Sequence, residues 1–326
     1  MISMLIFGAV ALLLVSAAMA PITALGWWAG WFGEDTAPSH PAALKIASDP
    51  SARAAPHYLV YLSGIGAISA DSVPDEEITW LAEFERRIGD SYLVRDVFPY
   101  NVVGAGLTNE RFFKRMWKSI EQMRLKNPGA VLANLINLRN VLQVAVSADP
   151  RYGPIYNLGV ANAIAESLQG HGYRLGSGTP VTLIGWSGGG QISLGAAAFL
   201  SGMLKAPIRV ISVGGVMADD PGLISVTHLY HFYGSNDPIQ AMGGKLYAGR
   251  WPVFKQSIWN RALAQGKITF TELGPFSHNG KDNYFSWDTK TPAGKSYAET
   301  TMDAIIGVLQ ADGLLAPTTG RTTLPA

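Results

Sequence analysis

The chain has 326 residues, a formal net charge of +1, no cysteine, and a hydrophobic share of 48%. That length and apolar content suit one large domain with a doubly covered core. The near-neutral charge offers no global field for nucleic acid. The missing thiols exclude disulfides, thiol nucleophiles and cysteine-held metals.

Residues 1–33 carry no charged side chain, and residues 2–25 are almost continuously apolar. A bilayer-spanning helix needs about 20 such residues. Trp27, Trp28, Trp31 and Phe32 close the run, where an aromatic belt at the headgroups is expected. The segment is therefore expected to be a single-pass N-terminal membrane anchor. The alternative is a cleaved signal peptide with Ala18-Met19-Ala20 as its cleavage site and a secreted product. Pro21 and the absence of Lys or Arg ahead of the apolar run weigh against it. Residues 34–56, rich in Ala, Pro and Ser, read as a linker.

From 57 to 315 the pattern alternates between strand and helix. The apolar run 58–62 predicts a strand, 75–88 an amphipathic helix and 92–98 a second strand. An insertion over about 101–152 is longer than a plain connection needs. It holds a basic amphipathic helix at 110–126 and a mostly apolar helix at 128–146. On the first, Phe112, Phe113, Met116, Trp117, Ile120 and Met123 fill one arc, with Lys114, Arg115 and Lys118 largely outside it. That pattern suits a surface helix packed on the sheet, or an interfacial element lying among headgroups. A helix at 155–168 precedes a strand beginning at Val181. Strands at 208–213, 227–233 and 268–273 then alternate with helices at 253–265 and 293–310. Such alternation implies a mostly parallel sheet with helices on both faces. Residues 316–326 read as a loose tail.

The most informative stretch is Val181-Thr182-Leu183-Ile184-Gly185-Trp186-Ser187-Gly188-Gly189-Gly190-Gln191. An apolar strand runs into Gly-x-Ser-x-Gly and then into small, helix-compatible residues, the order a nucleophile elbow requires. Ser187 would sit at the apex of the turn, with Gly185 and Gly189 clearing space for the crossing backbone. A glycine turn capped by Ser187 is the plainer reading. No Gly-Lys-Ser/Thr follows and no Gly-x-Gly-x-x-Gly opens the helix, so a phosphate-cradling loop finds little support.

A base is sought among six histidines: His40, His57, His171, His228, His231 and His278. Only His278 falls in a loop directly after a late strand, in Gly274-Pro275-Phe276-Ser277-His278-Asn279-Gly280, and it is expected outside the core. Asp237, in Tyr233-Gly234-Ser235-Asn236-Asp237-Pro238, is the candidate acid. Asp219 and Asp220, after the preceding strand, are its rivals.

The elbow, Asp237 and His278, in that chain order on successive strand ends, resemble the α/β-hydrolase superfamily. The resemblance covers roughly residues 57–313 in organisation and a few dozen residues in motif. It implies an α/β-hydrolase fold with Ser187 as nucleophile, His278 as general base and Asp237 as the group orienting the imidazole. It further implies an oxyanion hole built from the N–H of Gly188 and a donor in Ser63-Gly64-Ile65-Gly66-Ala67. Ile65 is the first choice there and Gly66 the second. Many relatives carry His-Gly where this chain has Ser63-Gly64.

The resulting expectation is a membrane-anchored serine hydrolase acting on carboxylic esters, small or lipid, with no metal or cofactor and no nucleic-acid partner. Acyl transfer, thioester and amide cleavage use the same machinery, and a non-catalytic membrane-tethered binding module is the alternative from another class.

Overall fold

The computed structural model describes residues 54–67, 69–100 and 131–316, without the side chains of 131–136. The expected anchor at 1–33, the linker up to residue 53, the basic helix at 110–126 and the tail beyond 316 lie outside the described residues. Among the described residues no helix is long and apolar enough to cross a membrane.

Six strands form one sheet: β1 (Tyr58–Leu62), β2 (Tyr92–Val94), β3 (Val181–Trp186), β4 (Ile208–Val213), β5 (His228–Gly234) and β6 (Ile268–Gly274). Their spatial order is β2-β1-β3-β4-β5-β6, and every neighbouring pair is parallel. The longer helices are α1 (Asp75–Arg87), α2 (Val131–Ala148), α3 (Gly153–Gly170), α4 (Gly188–Leu204), α5 (Ile258–Ala264) and α6 (Tyr297–Ala311).

A strand covered on both faces must be apolar at every position, and all five residues of β1 are buried. Tyr58, Val60 and Leu62 face a core that also holds Val160, Ile164 and Leu168 of α3, Leu200 of α4 and Trp259 of α5. Leu59 and Tyr61 face the opposite core, with Trp80 and Phe84 of α1 and Met302 and Ile305 of α6. Trp80 ties this second layer together: it stacks on Phe84 at 5.0 Å, and its indole N–H donates to Ala298 O at 2.9 Å.

Three element boundaries differ from the sequence expectation by four residues or more. Strand β2 stops at Val94 rather than 98, because only Tyr92, Leu93 and Val94 find partners on β1. The helix expected at 253–265 begins at Ile258, where the Ser257 hydroxyl accepts the Asn260 N–H. The helix expected at 293–310 begins at Tyr297, behind a capping box formed by Ser296 and Glu299.

The chain moves from β1 outward to β2, then returns to the other side of β1 for β3. Loops leaving β1 and β3 therefore diverge, and a crevice opens between their carboxyl ends. The register pairs Leu62 with Gly185, which sets the loop after β1 beside the turn after β3. At that turn the backbone crosses itself closely. A Cβ on Gly185 would collide with Gly189 O, and one on Gly189 with Leu62 O. Gly185→Ala is thus expected to destabilise the protein by about 1–3 kcal/mol, the range for forced overpacking. Gly202→Ala, in the last turn of α4 with open space around it, should instead stabilise by about 0.5–1 kcal/mol. Urea unfolding midpoints of the two variants check the opposite signs.

Candidate active site

Ser187 links β3 to α4 with φ 54° and ψ −123°. Besides Ser187, only Lys205 combines a side chain with positive φ among the described residues. A backbone angle so rare for a residue with a Cβ is held by its surroundings. The Ser187 N–H donates to Val213 O at 3.0 Å, and Ser187 O accepts from Gly190 N at 3.1 Å. The hydroxyl is thereby lifted above the sheet at the start of α4, whose first N–H groups have no intrahelical acceptor.

Ser187, His278 and Asp237 come together. Ser187 Oγ lies 2.8 Å from His278 Nε2, and His278 Nδ1 lies 2.9 Å from Asp237 Oδ2. A carboxylate only accepts, so the proton of neutral imidazole sits on Nδ1 and leaves Nε2 to accept from the serine. Contrary to the expectation of a loop residue outside the core, His278 is 7% exposed. Its ring stacks on Trp186 at 4.6 Å and 22°, so the residue before the serine clamps the imidazole.

Asp237 is buried, which works to raise its pKa, yet the carboxyl is held below its ordinary value by its hydrogen bonds and the His278 charge, which together outweigh burial. Its Oδ2 accepts from His278 and from the Tyr284 hydroxyl at 2.8 Å. Its Oδ1 accepts the N–H groups of Ile239 at 2.9 Å and Gln240 at 3.1 Å. Tyr284 Oη in turn accepts the Gly234 N–H at 2.7 Å, and burial followed by the Asp237 charge pushes that phenol well above its usual pKa. No motif in the sequence marks Trp186 or Tyr284 for these contacts. Tyr284 stands 47 positions from its partner, and no spacing rule links them.

The rival acids are occupied elsewhere. Asp219 Oδ1 accepts the Trp259 N–H at 2.6 Å, at the start of α5. Asp220 accepts from Gln191 Nε2 and Gly222 N, both at 2.7 Å, and burial pushes it up to about 6. The other described histidines also have structural partners. His57 meets Thr182 Oγ1 at 2.9 Å, His171 meets Asp96 at 3.1 Å, His228 meets Thr269 Oγ1 at 2.8 Å and His231 meets Ser212 Oγ at 3.1 Å. Burial lowers His57 and His231 to about 4. His40 lies outside the described residues.

Opposite the serine, residues 64–67 form a turn closed by Ala67 N–H to Gly64 O at 3.0 Å, with Ile65 and Gly66 at its centre. Gly64 approaches so closely that a Cβ there would lie 2.8 Å from Trp186 Cδ1 and 3.3 Å from Ser187 Cβ. Ile65 O accepts from Asn140 Nδ2 of α2 at 2.5 Å. Its N–H makes no hydrogen bond among the described residues, which favours Ile65 over Gly66 as the free donor. The turn is also braced from below, where the Ser63 hydroxyl donates to Glu77 Oε1. No cluster of metal-binding side chains occurs among the described residues.

The sheet order, the strained serine at the strand-to-helix turn, and the acid and histidine on the ends of β5 and β6 define the class: the chain has the architecture of the α/β hydrolases. No family model and no curated protein matches the chain. Among solved structures, it is similar to a protein described as a dienelactone hydrolase from Klebsiella pneumoniae subsp. pneumoniae. The identity is 12% and the TM-score 0.43, over 78% of this chain and 85% of that one. It is also similar to a puromycin-hydrolyzing peptidase of Mycobacterium tuberculosis, at 14% identity and a TM-score of 0.41. That match covers 82% of this chain but 35% of the peptidase.

The buried Glu77 generates a pH prediction. Burial pushes its carboxyl up to about 7 from an ordinary 4.5, against the lowering effect of the Ser63 hydroxyl. Between those values the unfolded chain has released a proton that the folded chain keeps, so stability falls as pH rises from 4.5 to about 7. Glu77→Gln should remove that slope and be the more stable protein above about pH 7, by up to ~3 kcal/mol. Urea unfolding on both sides of the window checks this; parallel pH profiles for wild type and variant would count against it.

Proposed function

We propose that the protein is a serine hydrolase that cleaves carboxylic esters through an acyl-enzyme. The observation that carries the reading is the unbroken hydrogen-bonded chain Ser187 Oγ, His278, Asp237, mounted on a strained elbow. Ser187 Oγ would add to the ester carbonyl carbon while its proton passes to His278 Nε2. The carbonyl π pair moves to oxygen, where the N–H groups of Gly188 and Ile65 receive the developing charge. As the carbonyl re-forms, the alkoxide leaves with the proton from His278. Water then repeats the sequence on the acyl-serine, and the acid product departs. Asp237, held ionised by its four hydrogen bonds, stabilises the imidazolium in both halves.

The leader extends this proposal to location and substrate. Its 33 uncharged residues and terminal tryptophans support a single-pass anchor that holds the enzyme at a bilayer, with lipid esters as the substrates presented there. Full-length protein should remain in the membrane fraction through salt and alkaline washes. A mature protein beginning at Pro21 would instead mark a cleaved signal and a secreted enzyme.

A fluorophosphonate probe tests the nucleophile. Wild type should be labelled at Ser187, and Ser187→Ala should lose both labelling and turnover of a small activated ester. Asp237→Asn should remain folded and lose about 10³–10⁴-fold in kcat. A folded, unlabelled wild type would identify a binding module on this fold instead.

A further inference from the structure

Beside the proposed oxyanion hole stands a group that the triad does not use. Tyr100, in the loop after β2, is 0% exposed, and its hydroxyl has no hydrogen-bond partner among the described residues. Buried hydroxyls without partners are uncommon, and each one calls for a reason. This hydroxyl faces the residue after the nucleophile, since a Cβ on Gly188 would lie 2.7 Å from Tyr100 Oη.

The distance to the hole follows from covalent geometry. A Cβ stands about 2.5 Å from its own amide nitrogen, so Tyr100 Oη is no more than about 5 Å from Gly188 N. One oxygen accepting bonds of about 2.9 Å can bridge donors separated by nearly 6 Å. A single oxyanion can therefore take both the Gly188 N–H and the Tyr100 O–H.

The surroundings fix this hydroxyl relative to the Ile65 turn. On α2, Arg139 Nη1 donates to Tyr100 O at 3.2 Å and to Asn140 Oδ1 at 3.0 Å. Asn140 Nδ2 donates to Ile65 O at 2.5 Å. Two adjacent residues of one helix thus pin both the tyrosine backbone and the turn that supplies the Ile65 N–H. Val144 of the same helix and Ile65 complete the wall, with Cγ2 atoms 2.7 and 3.0 Å from the same Gly188 Cβ position.

We propose that Tyr100 is a catalytic side-chain donor to the oxyanion, acting beside the backbone N–H groups of Gly188 and Ile65, and that the substrate carbonyl oxygen is the partner its hydroxyl lacks. This rests on the reading of Ser187 as nucleophile. When Ser187 Oγ bonds to the carbonyl carbon and the π pair moves to oxygen, Tyr100 Oη–H donates a hydrogen bond and keeps its proton. Burial pushes the phenol pKa far up, so the group stays protonated while the oxyanion collapses and the alcohol departs with the proton from His278.

Tyr100→Phe tests this with a chromogenic acetate ester and a trifluoromethyl ketone as the transition-state mimic. The variant should lose about 10²-fold in kcat with KM little changed. The Ki of the ketone should rise in step with the loss in kcat/KM. Its Tm should equal or exceed that of wild type, because the change removes only a hydroxyl without a partner. A structural tyrosine would give the reverse, with a lowered Tm and an unchanged ratio of ketone Ki to KM. If wild type turns over through Ser187 while Tyr100→Phe stays within twofold of it in kcat and ketone Ki, the Tyr100 assignment falls alone. If wild type is folded but neither labelled by the phosphonate nor active, the nucleophile reading falls and takes this one with it.

Discussion

The backbone crossing at Ser187 is the constraint on which the rest of the site depends. A non-glycine residue at φ 54° and ψ −123° costs on the order of 1–3 kcal/mol. It persists because the chain has nowhere else to go. Gly185 passes beneath Gly189, and Gly189 rests on Leu62 O, so sheet register and turn geometry are one feature. The pairing of β1 with β3 places the Leu62 end at that crossing. The same register brings the Ser63 to Ala67 turn against the serine.

Around this point, rigidity comes from aromatic rings as much as from hydrogen bonds. Trp186 leaves β3 on the face opposite Ile192 and Leu194 of α4, joins the core that holds Phe232 and Tyr284, and carries His278 on its ring. Tyr284 joins the Asp237 carboxylate to the Gly234 backbone at the end of β5. The imidazole is therefore fixed by stacking on Trp186 of β3 and by a carboxylate in the turn after β5.

Three buried carboxyls show how hydrogen-bond supply, and not depth alone, decides ionisation. Burial works to raise all three. Asp237 receives four donors, one of them the imidazole, and ends below its ordinary value. Asp220 receives a side-chain amide and one backbone N–H and is pushed up to about 6. Glu77, with a serine hydroxyl on Oε1, is pushed up to about 7. The acid that faces the imidazole is the one of the three held below its ordinary value, which suits a partner for an imidazolium. Asp219 and Asp220 hold the loop after β4 against α4 and α5 instead, which is a task for the fold.

Local chemistry made much of this legible in the sequence. Apolar runs with β-branched and aromatic residues marked β1 and β4 to the residue at either end, because a strand buried on both faces admits little else. Gly185, Ser187 and Gly189 announced the elbow, since no other residues clear that crossing, and chain order led to Asp237 and His278. Only the tertiary structure decided the remainder. It ended β2 at Val94, the last residue that pairs with β1, and it buried His278 against Trp186. It chose Asp237 over Asp219 and Asp220 by placing the end of β5 beside the loop after β6. It also set Tyr100, Tyr284 and Asn140 around the site from three separate regions of the chain. Periodicity and turn chemistry act over a few residues, whereas those placements arise from helices and strands packing across the sheet, and no short-range pattern encodes them.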